Sequence, residues 1–287
     1  AHWSSLPDMV SRYGDFLDEL IHYYLRNVHP NLRIDDNGLC VMTGDGRPLS
    51  WMDAKVNGQA VVRREGYLVE VNALWYNALC FYREALPQKW TPELEELLGR
   101  VQQSFCDTFI NQHGYLFDYV HPHSSWRDWS VRPNMVFATS LPSSPLPKAT
   151  RRSVLEIITR ELRTPKGLRS LSPKSDGYQP QCHGTQWQRE QSYYNGSVWP
   201  WLLGPYFEAC IKLYGRSAIS FIENTLIGME EELQQHGVGT VSELFDGNPP
   251  FKGRGAISFA MSVGELLRSL ALLEEAKSKY DTQILPI

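Results

Sequence analysis

Three short segments join carboxylates to aromatic rings in a pattern that suits one kind of chemistry. Trp51-Met52-Asp53-Ala54-Lys55 follows a turn-forming run with Gly44, Gly46 and Pro48. Tyr194-Asn195-Gly196-Ser197-Val198-Trp199-Pro200-Trp201 opens a helical stretch, and Val241-Ser242-Glu243-Leu244-Phe245-Asp246-Gly247 lies between Gly239 and Pro249-Pro250. Sugar rings present apolar C–H faces that pack on Trp and Tyr, while their hydroxyls need polar partners. Glycosidic cleavage takes one carboxyl group as proton donor and another as base or nucleophile. Asp53 and Glu243 are the candidates for that pair, and the indole beside Asp53 is expected to desolvate it partly, which suits a proton donor. Each also has a plainer reading: a turn cap for Asp53, a salt-bridged loop carboxylate for Glu243.

Other polar residues of these segments carry similar alternatives. Glu70, Asn72 and Trp75 share a helix start, where Glu70 also suits the positive end of the helix dipole. Arg132, next to Pro133 and Asn134, follows Trp126 and Trp129; it binds a hydroxyl, orients a carboxylate or makes a structural ion pair. Asp246 either contacts substrate or holds its own loop through an Asx-turn. Metal chemistry has little support, because His121-Pro122-His123 lacks a nearby third ligand. No GxGxxG followed by an acidic residue, no GxxxxGK[ST] and no GxSxG occurs. No cofactor is expected, since both charges that hydrolysis requires come from carboxyl groups. Cys80 and Cys210 lie on apolar helix faces and read as core residues.

The elements that must position these residues are mostly helices. Apolar residues recur at helical spacing from Met9 to Tyr24, Leu68 to Tyr82, Leu94 to Phe109 and Val154 to Leu162, with three more helices expected over 198–214, 217–235 and 256–279. The third begins where Thr91 caps and Pro92 fits the first position. A shorter helix is expected over Val131–Ser140, and brief strands over 32–34, 39–42 and 115–120. Long and short connections alternate, and short ones force neighbouring helices antiparallel. The long segments 29–64, 114–130, 164–197 and 237–255 are therefore expected on one rim. They hold Trp51, Trp126, Trp129 and Trp187, and long loops on a rigid scaffold are where binding usually sits.

Composition narrows the classes. The 287 residues carry 28 Lys+Arg against 32 Asp+Glu, so a net charge of −4 gives no basic excess to attract nucleic acid or anionic lipid. The longest apolar stretch, near Val198 to Phe207, is too short to span a bilayer, and no signal peptide is evident. Five cysteines without a CxxC pair fit a reducing, cytoplasmic compartment better than a disulfide framework.

At the same residues the chain resembles the amylo-α-1,6-glucosidase domain of archaeal and bacterial glycogen debranching enzymes. The resemblance rests on WMDAK at 51–55, VEVNALWYNAL at 69–79, RPN at 132–134, GLRSL at 167–171, YNGSVWPW at 194–201, SELFDG at 242–247 and SVGELLR at 262–268. It implies an all-α fold, an (α/α)6 toroid of helical hairpins. The whole chain, 1–287, would then be one domain matching the C-terminal two-thirds of the family domain and lacking its first hairpins. It implies hydrolysis of the α-1,6-linked glucose at a branch of glycogen or limit dextrin, with Asp53 as general acid, Glu243 as general base and inversion at the anomeric carbon. Inverting carboxyl groups stand ~6.5–9.5 Å apart, leaving room for a water. Trp51, Lys55, Glu70, Asn72, Trp75, Arg132, Asn195, Trp199 and Asp246 are the expected substrate contacts. Besides the branched α-glucan, the absent N-terminal segment of the domain is an expected partner, since an open ring exposes apolar helix faces. Two alternatives stay open: an exo-acting α-glucosidase of different linkage, and a non-catalytic glucan-binding or subunit module.

Overall fold

The computed structural model describes residues 5–44, 46–235 and 237–281. Helices form where apolar residues repeat at helical spacing. α1 (Leu6–Leu25) starts at Ser5, whose side chain accepts from the Asp8 amide. α2 (Val69–Ala85) follows a loop region, and α3 (Pro92–Phe109) starts as predicted, with the Thr91 side chain accepting from the Leu94 amide. A 3-10 turn over Pro133–Val136 leads into the single-turn α4 (Phe137–Ser140), and α5 is Lys148–Glu161.

The second half departs further from the sequence reading. α6 (Gln186–Tyr193) lies inside a segment expected to be loop; its residues are too polar to show an apolar stripe, and a Thr185–Gln188 capping box starts it instead. α7 (Leu203–Tyr214) begins later than expected because Val198–Trp199 is extended and Pro200–Leu202 is a 3-10 turn. The stretch 217–235 splits into α8 (Ile219–Met229) and α9 (Glu232–Gln235), and α10 is Ala260–Asp281.

Short antiparallel strands of two or three residues stitch the loops of this mainly helical protein together. β1 (Leu32–Ile34) pairs with β2 (Cys40–Met42), β3 (Lys55–Val56) with β4 (Gln59–Ala60), and β5 (Tyr67–Leu68) with β6 (Tyr119–Val120). A five-stranded sheet runs in the order β7 (Arg163–Thr164), β8 (Gly167–Arg169), β9 (Val198–Trp199), β10 (Leu244–Phe245), β11 (Gly253–Arg254). In its register Leu168 faces Trp199, and Phe245 faces Val198. That pairing joins two of the three segments that sequence reading singled out.

α2 packs on α1, α3 and α4, while α7 packs on α4, α5 and α10. Tyr82, Phe105, Phe109, Tyr206 and Phe207 are fully buried in the core. Each such ring contributes ~1.5–3 kcal/mol relative to remaining exposed. The outer helices are less covered: α1 exposes Tyr13 and Phe16, and α10 exposes Met261, Leu267 and Leu270.

Candidate active site

Asp53 and Glu243 reach one site through a pair of adjacent tyrosines. Tyr194 Oη donates to Asp53 Oδ1 at 2.8 Å, and Tyr193 Oη donates to Glu243 Oε1. The two tyrosines straddle the C-terminus of α6, and their rings meet edge to face with centroids 5.2 Å apart. Burial first, then the adjoining carboxylate, pushes both phenols well above their ordinary range, so both remain neutral donors. Glu243 Oε2 also accepts from the Ala256 amide at 2.8 Å. Gly255 makes that contact possible, because it sits at φ +69° and a Cβ there would collide with the Glu243 carboxylate.

Behind the tyrosines stands an aromatic wall. Tyr194 stacks on Trp199 with ring centroids 5.3 Å apart and planes 6° from parallel. Trp51 presents its ring edge-on to Tyr194, Trp199 and Trp201 at 5.2, 5.5 and 5.1 Å. Such offset and edge-to-face contacts add ~0.5–1.5 kcal/mol per pair beyond area burial and fix ring orientation. The Trp199 indole donates to the Tyr193 carbonyl at 3.1 Å, pinning the peptide that carries both phenols.

A buried polar network supports the wall from below. Trp51 Nε1 donates to Asn134 Oδ1 at 2.7 Å, and Asn134 Nδ2 donates to Asp118 Oδ1 at 2.7 Å. Arg64 Nε donates to Asp118 Oδ2 at 2.6 Å, and its two terminal nitrogens donate to the Glu70 carboxylate at 2.6 and 2.7 Å. Burial opposes the charge on Arg64, but Asp118 and Glu70 outweigh it and hold the guanidinium fully protonated. Burial pushes the Asp118 carboxyl up to about 6 against the pull of Arg64. Arg132 donates to the carbonyls of Ser170 and Tyr194 at 3.1 and 2.6 Å and to Asn195 Oδ1 at 3.0 Å.

The expected substrate contacts therefore divide. Trp51 is half-buried in the wall, and Lys55 is exposed on β3. Trp199 is buried under the tyrosines. The rest are engaged by partners within the protein. Asn72 is 0% exposed and spends its amide on Cys40 N, Cys40 O and Leu68 O, so no polar atom is left for a sugar. Trp75 donates to the Gly38 carbonyl, and Glu70 is consumed by Arg64. Arg132 grips backbone carbonyls, and Asn195 Nδ2 donates to Gln191 O. Asp246 does hold its loop, through Arg254 and the Cys182 amide and not through an Asx-turn. Asp53 is exposed to solvent, in contrast to the partial desolvation expected from Trp51. His121 and His123 belong to no set of three metal-capable side chains among the described residues.

Sequence reasoning misses Tyr193, and it includes Tyr194 in the 194–201 segment without giving it a role. Their signal was available: two consecutive phenols immediately ahead of Asn195-Gly196, in the segment already marked by its tryptophans.

Two solved structures share the fold: a GH63 mannosylglycerate hydrolase from Thermus thermophilus in complex with glucose, and the neutral trehalase Nth1 from Saccharomyces cerevisiae. The first is 18% identical with a TM-score of 0.52, over 72% of this chain and 47% of that one. The second is 16% identical with a TM-score of 0.53, over 73% of this chain and 38% of that one. This chain thus spans less than half the length of either. A search of curated protein sequences finds no match. The profile of the family described as Amylo-alpha-1,6-glucosidase matches residues 4–268, nearly the whole chain. The chain belongs to the amylo-alpha-1,6-glucosidase family.

Proposed function

We propose that this chain is a glycoside hydrolase that releases α-1,6-linked glucose at the branch points of an α-glucan such as glycogen or limit dextrin, on the helical toroid that the family resemblance implies. Asp53 is the general acid and Glu243 the general base. One observation carries the reading: the two carboxylates, from segments far apart in the chain, hang from adjacent phenols of one tyrosine pair. Asp53 protonates the glycosidic oxygen as the C–O bond breaks. Glu243 takes a proton from a water that attacks the anomeric carbon from the opposite face, so the configuration inverts. Exposure of Asp53 fits a group that must meet the leaving oxygen and regain its proton from solvent. Five free thiols fit a reducing, cytoplasmic setting for this work.

The test is proton NMR of the purified chain with a glucosyl-α-1,6-branched maltooligosaccharide. β-Glucose should appear before mutarotation, and Asp53→Asn and Glu243→Gln should each lower turnover by about 10²–10⁴-fold while the fold survives. Initial release of α-glucose overturns inversion, and full activity in either variant overturns its role. A second reading, exo-cleavage of a different α-linkage, draws support from structural neighbours named as a trehalase and a mannosylglycerate hydrolase. Rates on isomaltosyl, maltosyl and trehalose-type substrates separate the two.

A further inference from the structure

Two tryptophans outside the catalytic cluster are held with their rings in solvent. Trp126 is 60% exposed and Trp129 is 44% exposed, whereas the nearby wall indoles are largely covered. Large rings in water are costly unless something covers them in use. Neither ring is loose. Trp126 lies on a hairpin arm whose backbone pairs His121 N with Trp126 O and Asp128 N with Tyr119 O, at 3.1 and 3.0 Å. Its indole N–H donates to Tyr119 Oη at 3.0 Å. Trp129 packs edge-on against Phe117 with centroids 4.6 Å apart, and the Tyr115 hydroxyl donates to its carbonyl.

The two rings line one groove of about 870 Å³, together with Ser125, Ser130, Asp128 and Asp176. The lining selects the ligand. Hydroxyls and carboxylates beside flat apolar faces match a neutral polyhydroxylated ring, which stacks on the indoles and donates to the oxygens. A polyanion is disfavoured by Asp128 and Asp176, since the one cation among the described residues of the groove, Arg127, sits over the Phe117 ring at 5.7 Å. The segment that lines the groove is also tied to the supports of the candidate catalytic cluster. Three residues after Trp129 the chain reaches Arg132, which grips the Tyr194 carbonyl. The Asp118 amide that begins the hairpin bonds to Asp128 O at 2.9 Å, and Asp118 supports Trp51 through Asn134.

We propose that Trp126 and Trp129 form a second carbohydrate platform that seats a linear run of α-linked glucose residues beside the catalytic cleft. The α-linkage rests on the glucosidase reading; the sugar class rests on the groove itself. The platform lengthens the contact with a polymer without touching the cleaved bond, so its loss should be felt by long chains and not by short ones.

Isothermal titration with maltoheptaose and with maltose provides the test, on wild-type protein and on Trp126→Ala, Trp129→Ala and Trp126→Phe. We expect maltoheptaose to bind wild type tighter than maltose, Trp126→Ala and Trp129→Ala each to weaken maltoheptaose at least tenfold, and maltose to change less than twofold. Trp126→Phe should retain most of the affinity because a stacking ring remains. Thermal unfolding monitors the fold; should Trp129→Ala unfold for want of its Phe117 contact, Trp126→Ala, whose ring is mostly in solvent, carries the test alone. Unchanged maltoheptaose affinity in the alanine variants, or no maltoheptaose binding by folded wild type, overturns the platform. Turnover of the short branched oligosaccharide is read in parallel. Platform-dependent binding without any cleavage keeps the platform and sinks the glucosidase reading, while cleavage with platform-independent binding does the reverse.

Discussion

The mouth of the site and the network beneath it treat the same side chain in opposite ways. At the mouth, Asp53 and Glu243 are exposed or half-buried, and each is held by a neutral phenol. Beneath, Glu70 and Asp118 are buried and share the guanidinium of Arg64. A carboxylate that must exchange protons with a substrate needs a holder that fixes direction without cancelling charge, and a phenol does that. A carboxylate that only holds a wall together needs its charge cancelled, because an unpaired buried ion costs several kcal/mol. Partner chemistry thus separates the two roles more clearly than residue type does.

Cutting the network at its centre should produce the largest change. Arg64→Met leaves Glu70 and Asp118 buried without their cation, so urea unfolding should show a loss of about 3–5 kcal/mol. A loss below about 1 kcal/mol would mean that the network contributes little to the wall. At the mouth the expected effect is smaller and falls on rate. Tyr193→Phe and Tyr194→Phe each remove one hydroxyl donor to a carboxylate, worth ~1–2 kcal/mol of positioning, so kcat should drop by about 5- to 30-fold. Melting temperature should barely move, since both rings keep their stacking; a large drop in stability with unchanged kcat would place these phenols with the structural group.

The subtlest contrast is in pH. Burial pushes Asp118 up to about 6 in the folded protein, above its usual carboxylate value. As pH rises from about 4, the unfolded chain releases this proton first, while the folded chain holds it until about pH 6. The unfolded state is favoured increasingly across that window, so the Asp118 contribution makes stability fall between about pH 4 and 6 and then level off. Asp118→Asn removes this slope, and urea unfolding of both proteins at about pH 4.5 and 6.5 reads the difference. Parallel pH dependence in the two proteins would assign the slope to other groups.

Much of this molecule was legible in its amino acids. The Thr91-Pro92 start of α3 and the apolar stripes of α1, α2 and α5 follow from local spacing, which depends only on near neighbours. Asp53 and Glu243 stood out because carboxylates flanked by Trp, Gly and Pro are unusual for plain connectors. α6 was not legible, since its polar sequence buries little and is held by a capping box and by the tertiary contacts of its last residues. The five-stranded sheet was equally hidden: strands of two or three residues carry too few side chains to show alternation.

The sequence by itself determined the helical stripes, the acid and base candidates and the family. Only the tertiary structure decided that Tyr193 and Tyr194 hold the two carboxylates, that Asn72, Trp75, Arg132 and Asp246 bond to partners from distant segments, and that Trp126 and Trp129 share a groove. The reason is physical. A helix is written in interactions a turn apart, whereas a buried amide, an ion pair or a shared groove is defined by partners from distant segments that meet only when the chain has folded.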